Sequence, residues 1–295
     1  SSVPRAQIDS ISNSTFASSS ATCERELRSS SSALANEMAV LLDEHRKILL
    51  FLYLALPLLA LFLKTTPEEI LLTLTEPFVI QSLTLSLFTT VITTIVLVII
   101  GTPVAFIQSR YPYPGKKIVD TFIDLPLVLP PAVAGLALLL LWGRMGLLGK
   151  YLAVFSFTIP FTTLAVVMSQ FFVASPLYIR QARSLFTQLE KGYEDVARTL
   201  GAGPFRVFCT ITLPLCSFGL ISGAIMAFAR ALGEFGATIM FAGNLPGVTQ
   251  TMPLAIYTAM QKDMNAAVTI SLLLVGISLF VMLLVRILSG EDKNA

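Results

Sequence analysis

The chain has 295 residues, of which 55% are apolar and 13% charged, with a mean hydropathy of +0.78 and a formal net charge of +2. Soluble domains carry about 25% charged residues, so a water-soluble globule is excluded, and so small a net charge gives no electrostatic case for nucleic acid. Cys23, Cys209 and Cys216 form no CxxC and no metal-ligand spacing, and His45 is the single histidine, which leaves no catalytic residue and no metal site to read. Cys209 and Cys216, seven residues apart, can share a helix face but sit too far apart along it for a disulfide.

Residues 1–32 hold twelve serines and little apolar material, too little to bury a core. The scattered arginines suggest a transit-type leader, against which Asp9, Glu24 and Glu26 argue; no function is assigned to this arm. Over residues 33–45, Leu34, Met38, Leu41, Leu42 and His45 fall on one helix face, the pattern of a helix lying along a membrane surface. The domain reading is therefore an arm plus interfacial helix over 1–45, a membrane domain over 46–290 and a short tail over 291–295.

The spacing of apolar runs predicts six spans. The first covers 48–63 and is short for the ~20 residues a crossing needs. An acidic loop with Glu68, Glu69 and Glu76 leads to a long second span over 78–108. RYPYPGKK at 110–117 is a turn, and the third span, 118–142, contains Pro126, Pro130 and Pro131, which must bend it or free carbonyls for neighbours to satisfy. A fourth span is expected over 151–174 with a kink at Pro160, then a polar loop over 176–206, a fifth span over 207–241, a Gly- and Pro-containing loop over 242–265, and a sixth span over 266–288. The fold class is all-α, polytopic, with six transmembrane helices. With the amino terminus inside, fifteen Lys and Arg fall on the inner side and only Lys64, Arg144, Lys150 and Lys262 on the outer. The positive-inside rule thus places both termini and the polar loop in the cytoplasm of a cell-membrane protein.

Within that loop Leu189, Tyr193, Val196, Ala197 and Leu200 recur at i, i+4, i+7, i+8 and i+11, a short amphipathic helix with its charges on the other face. Gly201 and Gly203 end it, and Pro204 blocks a restart. From Asp195 the order is acid, Val196, Ala197, three residues, Gly201, nine residues, Ile211, Thr212, Leu213, Pro214. This resembles the EAA loop of bacterial and archaeal ABC-importer permeases, with Asp195 in place of Glu and Val196 in place of the first Ala. The resemblance implies a cytoplasmic coupling helix that docks into a groove of the ATP-hydrolysing subunit, and it assigns that contact to Glu194, Asp195, Val196, Ala197, Arg198, Leu200, Gly201, Ala202, Leu213 and Pro214.

Two further features bear on transport. Ser82, Ser86, Thr89, Thr90 and Thr93 form a hydroxyl stripe on the second span; it lines a hydrated oxyanion path or serves as helix–helix packing. Arg230 and Glu234 lie four apart in the fifth apolar segment, where each charge costs about 2.5–3.5 kcal/mol unless they pair. They mark a pathway or moving joint, or simply hold span five to its neighbours. The run RALGEFGATIMFAGNLPGVTQTMPLAIY from Arg230 to Tyr257, with the proline-rich third span, looks like the oxyanion-importer permeases, closest to the molybdate/tungstate branch with sulfate next. The resemblance covers about residues 78–290.

It implies a homodimer in lipid, two ATPase subunits beneath it and an extracytoplasmic oxyanion-binding protein above. ATP and Mg belong to the partner subunit, and this chain binds no cofactor and is not an enzyme. The absence of GxxxxGK[ST] from the sequence agrees that any ATP engine is another chain. A sulfate permease is the near alternative. An ion-gradient-driven transporter, which favours intramembrane carboxylates and internal repeats, and an intramembrane enzyme are the other classes.

Overall fold

The computed structural model describes residues 46–47, 49–53 and 55–289; the Ser-rich arm, the surface helix expected over 33–45 and the tail over 291–295 lie outside the described residues. Secondary structure among the described residues is entirely helical. The chain divides into two units, Ser1–Ala60 and Leu61–Ala295. Helix α1 (Leu49–Lys64) is apolar but shorter than the ~20 residues a perpendicular crossing requires.

The larger unit begins with α2 (Pro67–Thr75), a helix where the sequence suggests a loop. Helix α3 (Pro77–Arg110) has 34 residues; at 1.5 Å per residue it is about 50 Å long against roughly 30 Å of hydrocarbon. It is longer than a perpendicular crossing needs, and Arg110 is its last residue. Helices α4 (Lys116–Val128) and α5 (Pro131–Trp142) are bent by 118° at the break between them, where Pro130 and Pro131 remove two successive amide donors. After the short α6 (Gly149–Val154) comes α7 (Thr163–Gln188).

Helix α7 corrects the fourth span. Residues 155–162 are not helical, and Ser156 and Phe161 take left-handed backbone, so the apolar stretch from Tyr151 to Pro160 is not part of the crossing. The helix starts where the Thr162 hydroxyl accepts from the Ala165 amide and runs through Pro176 into what reads as loop. Pro176 cannot donate to the carbonyl of Phe172; Ser175 does so instead, Oγ to O at 3.2 Å, and the helix continues.

Next come α8 (Lys191–Thr199), the one-turn α9 (Pro204–Val207), a π-helical turn (Phe208–Thr212) and α10 (Leu213–Leu232). The expected fifth span ends at Leu232, because residues 233–235 break it before α11 (Gly236–Phe241). The loop expected over 242–265 contains α12 (Met252–Met260), and α13 (Met264–Ser289) closes the chain. Among the described residues four helices are long and apolar enough to cross a bilayer (α3, α7, the Pro204–Leu232 composite and α13), and five if the bent α4–α5 pair counts as one. The six expected spans are thus met by four or five, with α1 as the remaining, shorter apolar helix.

The core forms where α3, α7 and α10 meet, around Leu97, Ala105, Tyr178, Phe186, Ala227 and Ala231. Small residues set the approach, as expected where lipid offers no hydrophobic drive. A Cβ on Gly101 would stand 2.9 Å from the Tyr178 ring, and beside it the Thr102 hydroxyl meets the Tyr178 phenol at 2.7 Å. The two helix breaks also meet. A Cβ on Gly236 would lie 2.6 Å from Pro131 Cβ, and one on Gly135 would lie 2.5 Å from the Ala237 carbonyl oxygen. Backbone thus touches backbone where α5 crosses α11. Gly135→Leu is expected to destabilise the folded chain by about 1–3 kcal/mol, seen as a lower unfolding midpoint in detergent; an unchanged midpoint would show that this crossing is loose.

Candidate functional site

Helix α8 buries only part of the apolar stripe that its periodicity marks. Glu194 and Ala197 are its buried residues, whereas Tyr193, Val196 and Leu200 are exposed, Leu200 to 84%, together with Phe205 at 80%. A carboxylate faces inward and an apolar patch faces out. The helix closes with a Schellman motif: Ala202 N donates to Ala197 O at 3.1 Å and Gly201 N to Arg198 O at 3.0 Å. Gly201 sits at φ +84° with nothing within 4 Å of a built Cβ; backbone conformation alone calls for glycine there.

The inward carboxylate is paired. Arg110, at the end of α3, donates to Glu194 Oε1 from Nε at 3.0 Å and from Nη2 at 2.8 Å. The same guanidinium donates to the Leu189 carbonyl that caps α7, at 3.1 Å. Thr212, the last residue of the π turn, donates to Glu194 Oε1 at 3.2 Å, and Arg198 Nη2 lies 3.6 Å from Oε2. Both main partners are enclosed, with side-chain exposures of 7% for Arg110 and 3% for Glu194. A buried ion pair survives only with this degree of hydrogen bonding.

Sequence reasoning counted Arg110 only as a positive charge at a span's end. It lies 84 residues from Glu194, and no local spacing links them. Of the remaining coupling candidates, Asp195 is exposed and 3.8 Å from Arg198, Ala202 is half-buried, Leu213 packs against the core and Pro214 stands in the first turn of α10.

The hydroxyl stripe is enclosed by its own chain. Ser82, Ser86, Thr89, Thr90 and Thr93 are all 0–2% exposed. Ser82 and Thr89 bond back to their own helix. Ser86 Oγ accepts from Met252 N at 2.7 Å, satisfying an amide at the start of α12 that has no helical partner. Thr93 donates to Gln170 Oε1 at 3.0 Å and Thr90 accepts from Gln170 Nε2 at 3.3 Å. In this conformation Ser86, Thr90 and Thr93 bond α3 to α12 and α7, the packing arrangement of the two that the stripe allows. Gln170, buried in the middle of α7, is the polar residue that the stripe hides in sequence.

Arg230 and Glu234 do pair, Nη1 to Oε2 at 2.9 Å. Glu234 is buried, and its second oxygen accepts from the Ala237 amide at 2.9 Å, so it serves the first turn of α11 across the break. Arg230 keeps 38% of its side chain exposed. Phe235, inside the same break, stacks on Tyr257 of α12 with ring centroids 5.5 Å apart. A second network ties the following loop to α12: Gln250 Nε2 donates to Asn244 Oδ1 at 2.8 Å and Asn244 Nδ2 to Thr258 Oγ1 at 2.8 Å. Cys209 and Cys216 are unpaired, and the described residues hold no cluster of His, Cys, Asp and Glu suited to a metal.

Residues 98–290 match the family described as binding-protein-dependent transport system inner membrane component. The chain belongs to this family. A probable transport system permease protein, NifC, of Clostridium pasteurianum is 39% identical over 246 residues, covering 82% of this chain and 85% of that protein. The molybdenum transport system permease protein ModB of Mycobacterium tuberculosis is 42% identical over 231 residues, covering 78% and 88%. The sulfate transport system permease protein CysT of a Synechocystis species is 32% identical over 251 residues, covering 84% and 88%. In fold the chain is similar to a chain of a bacterial ABC transporter involved in the import of the acidic polysaccharide alginate, with a TM-score of 0.66 at 13% identity over 84% of this chain and 93% of that one.

As a transport permease of this family the chain is a multi-pass inner-membrane subunit. Glu234→Ala leaves the Ala237 amide and Arg230 without their partner, at an expected cost of about 1–3 kcal/mol. Glu234→Gln keeps an acceptor for the amide and is expected to lose less. Unfolding midpoints of the two variants in detergent check the order; equal midpoints would remove the capping role.

Proposed function

We propose that this chain is the membrane subunit of an ATP-driven importer for molybdate and tungstate. It works as a homodimer, with an ATPase subunit docked against each α8 and an oxyanion-binding protein on the outer face. The observation that carries the substrate class is the identity to molybdenum permeases, about 42% against 32% for the sulfate permease. The docking reading draws on the outward apolar patch of Tyr193, Val196, Leu200 and Phe205. Glu194 and Ala197 face inward on α8, while these apolar side chains stay outward among the exposed Lys191, Asp195 and Arg198, so the patch suits a protein groove. The charge bias of the loops supports a cytoplasmic position for α8 and for both termini.

ATP binding closes the ATPase pair, the two α8 helices move with it, and the spans alternate between outward- and inward-facing states. ATP and Mg stay with the partner. Arg230, partly exposed beside the α10–α11 break, is the side chain proposed to meet the passing dianion, with Glu234 holding it between passages. Sulfate is the second reading, favoured by the 84% coverage of the chain by the sulfate relative.

Binding-protein-dependent uptake in vesicles is expected to be saturable for molybdate, competed by tungstate and weakly by sulfate; stronger competition by sulfate would favour the second reading. Val196→Asp or Leu200→Asp places an unpaired charge in the docking patch. Each is expected to weaken co-purification with the ATPase by about 30-fold, the loss of about 2 kcal/mol typical of an interface anchor, while membrane yield is unchanged. Undiminished ATPase binding by both would refute the docking surface.

A further inference from the structure

We infer that Arg110, Glu194 and Thr212 form the joint through which movement of α8 reaches the spans, an inference that rests on α8 being the ATPase-docking element. Helix α8 is poorly anchored by packing. Of its nine residues only Glu194 and Ala197 are buried, and its larger apolar side chains, Tyr193 and Val196, face outward. What ties it inward is one carboxylate oxygen that accepts three hydrogen bonds, two from Arg110 and one from Thr212.

Those donors belong to different membrane elements. Arg110 is the last residue of α3, and Thr212 ends the π turn that runs directly into α10. The Arg110 guanidinium also holds Leu189 O at the end of α7. One planar group thus touches the terminus of one span, the cap of a second and the docking helix, and through Glu194 it reaches the base of a third. The flanking backbone is suited to pivoting. Leu189 and Glu190 are extended, Gly201 is left-handed and Pro204 follows.

Without the side-chain joint, α8 is free to swing on these turns as the ATPase pulls. With it, a charge-assisted, two-pronged contact of fixed length transmits both push and pull, which sliding apolar contacts do not. The joint is separate from the docking patch: Glu194 faces in, while Val196 and Leu200 face out.

The test uses the full transporter, reconstituted with its ATPase and binding protein, and reads molybdate uptake and ATP hydrolysis in the same vesicles. Glu194→Gln keeps shape and an acceptor but drops the charge. Arg110→Lys keeps the charge but loses the planar fork, and Thr212→Val removes the third donor without touching either charge. The first two are expected to co-purify with the ATPase and to hydrolyse ATP near the parent rate, while molybdate taken up per ATP falls by about tenfold, within the usual range of coupling energies. Thr212→Val is expected to show a smaller loss of the same ratio.

An uptake-to-hydrolysis ratio within about twofold of the parent in both Arg110→Lys and Glu194→Gln overturns the joint, since a residue that only stabilises the fold lowers both rates together. Should Glu194→Gln fail to insert, the same ratio measured in Arg110→Lys and Thr212→Val decides between joint and no joint. Loss of ATPase binding in Arg110→Lys also overturns it, because the group would then be shaping the docking surface. Failure of the parent chain itself to co-purify with an ATPase is a failure of the docking reading, visible before any variant is made.

Discussion

A single buried carboxylate, Glu194, holds a polar helix to the end of an apolar bundle. Removing an acid and a guanidinium from water is costly, and their attraction offsets that cost only when the remaining lone pairs and protons are also satisfied. Here several are: Arg110 supplies two bonds to Glu194 Oε1 and one to the Leu189 carbonyl, Thr212 supplies another to Oε1, and Arg198 stands near Oε2. The consequence is positional. With Glu194 and Ala197 taken inward, Tyr193, Val196 and Leu200 are left facing out beside the exposed Lys191, Asp195 and Thr199.

The same accounting governs the interior. Two helices are interrupted, at Pro130–Pro131 and at residues 233–235, and the interruptions lie against each other with Gly236 beside Pro131 and Gly135 beside Ala237. Freed backbone groups are tolerated at membrane depth only where protein encloses them. Glu234 answers part of that demand by accepting from the Ala237 amide while it pairs with Arg230. The hydroxyls of α3 answer another part, with Ser86 closing the start of α12 and Thr90 and Thr93 closing on Gln170. Two broken helices stacked at their breaks, beside the long α3 and α7, describe a bundle in which a few elements are jointed and the rest are stiff.

Among the described residues this permease combines long continuous helices with interrupted ones. Its stiff members, α3 and α7, run the depth of the bundle and end where α8 is attached. Its jointed members surround Arg230 and Glu234. On the proposed mechanism the long helices would carry displacement from one place to the other, since packed cores rearrange between discrete states rather than bending continuously.

The membrane class, the helical architecture, the short helix α8 and the Arg230–Glu234 pair were all legible in the linear chain, because apolar run length, i, i+4 spacing and fixed motif offsets are local properties of sequence. The fourth span was misplaced because Pro160 and Pro176 look alike as breakers; the helix passes the second, where the Ser175 hydroxyl bonds the Phe172 carbonyl that Pro176 cannot. The hydroxyl stripe was visible, but whether it faced water or Gln170 was not, since a period of 3.6 locates a face without naming its neighbour. Likewise the apolar positions of α8 were found and their direction was not. Which way that helix turns depends on Arg110, 84 residues away, and a contact between distant residues is written in the packing of α3 against α7 and α10, not in any spacing along the chain.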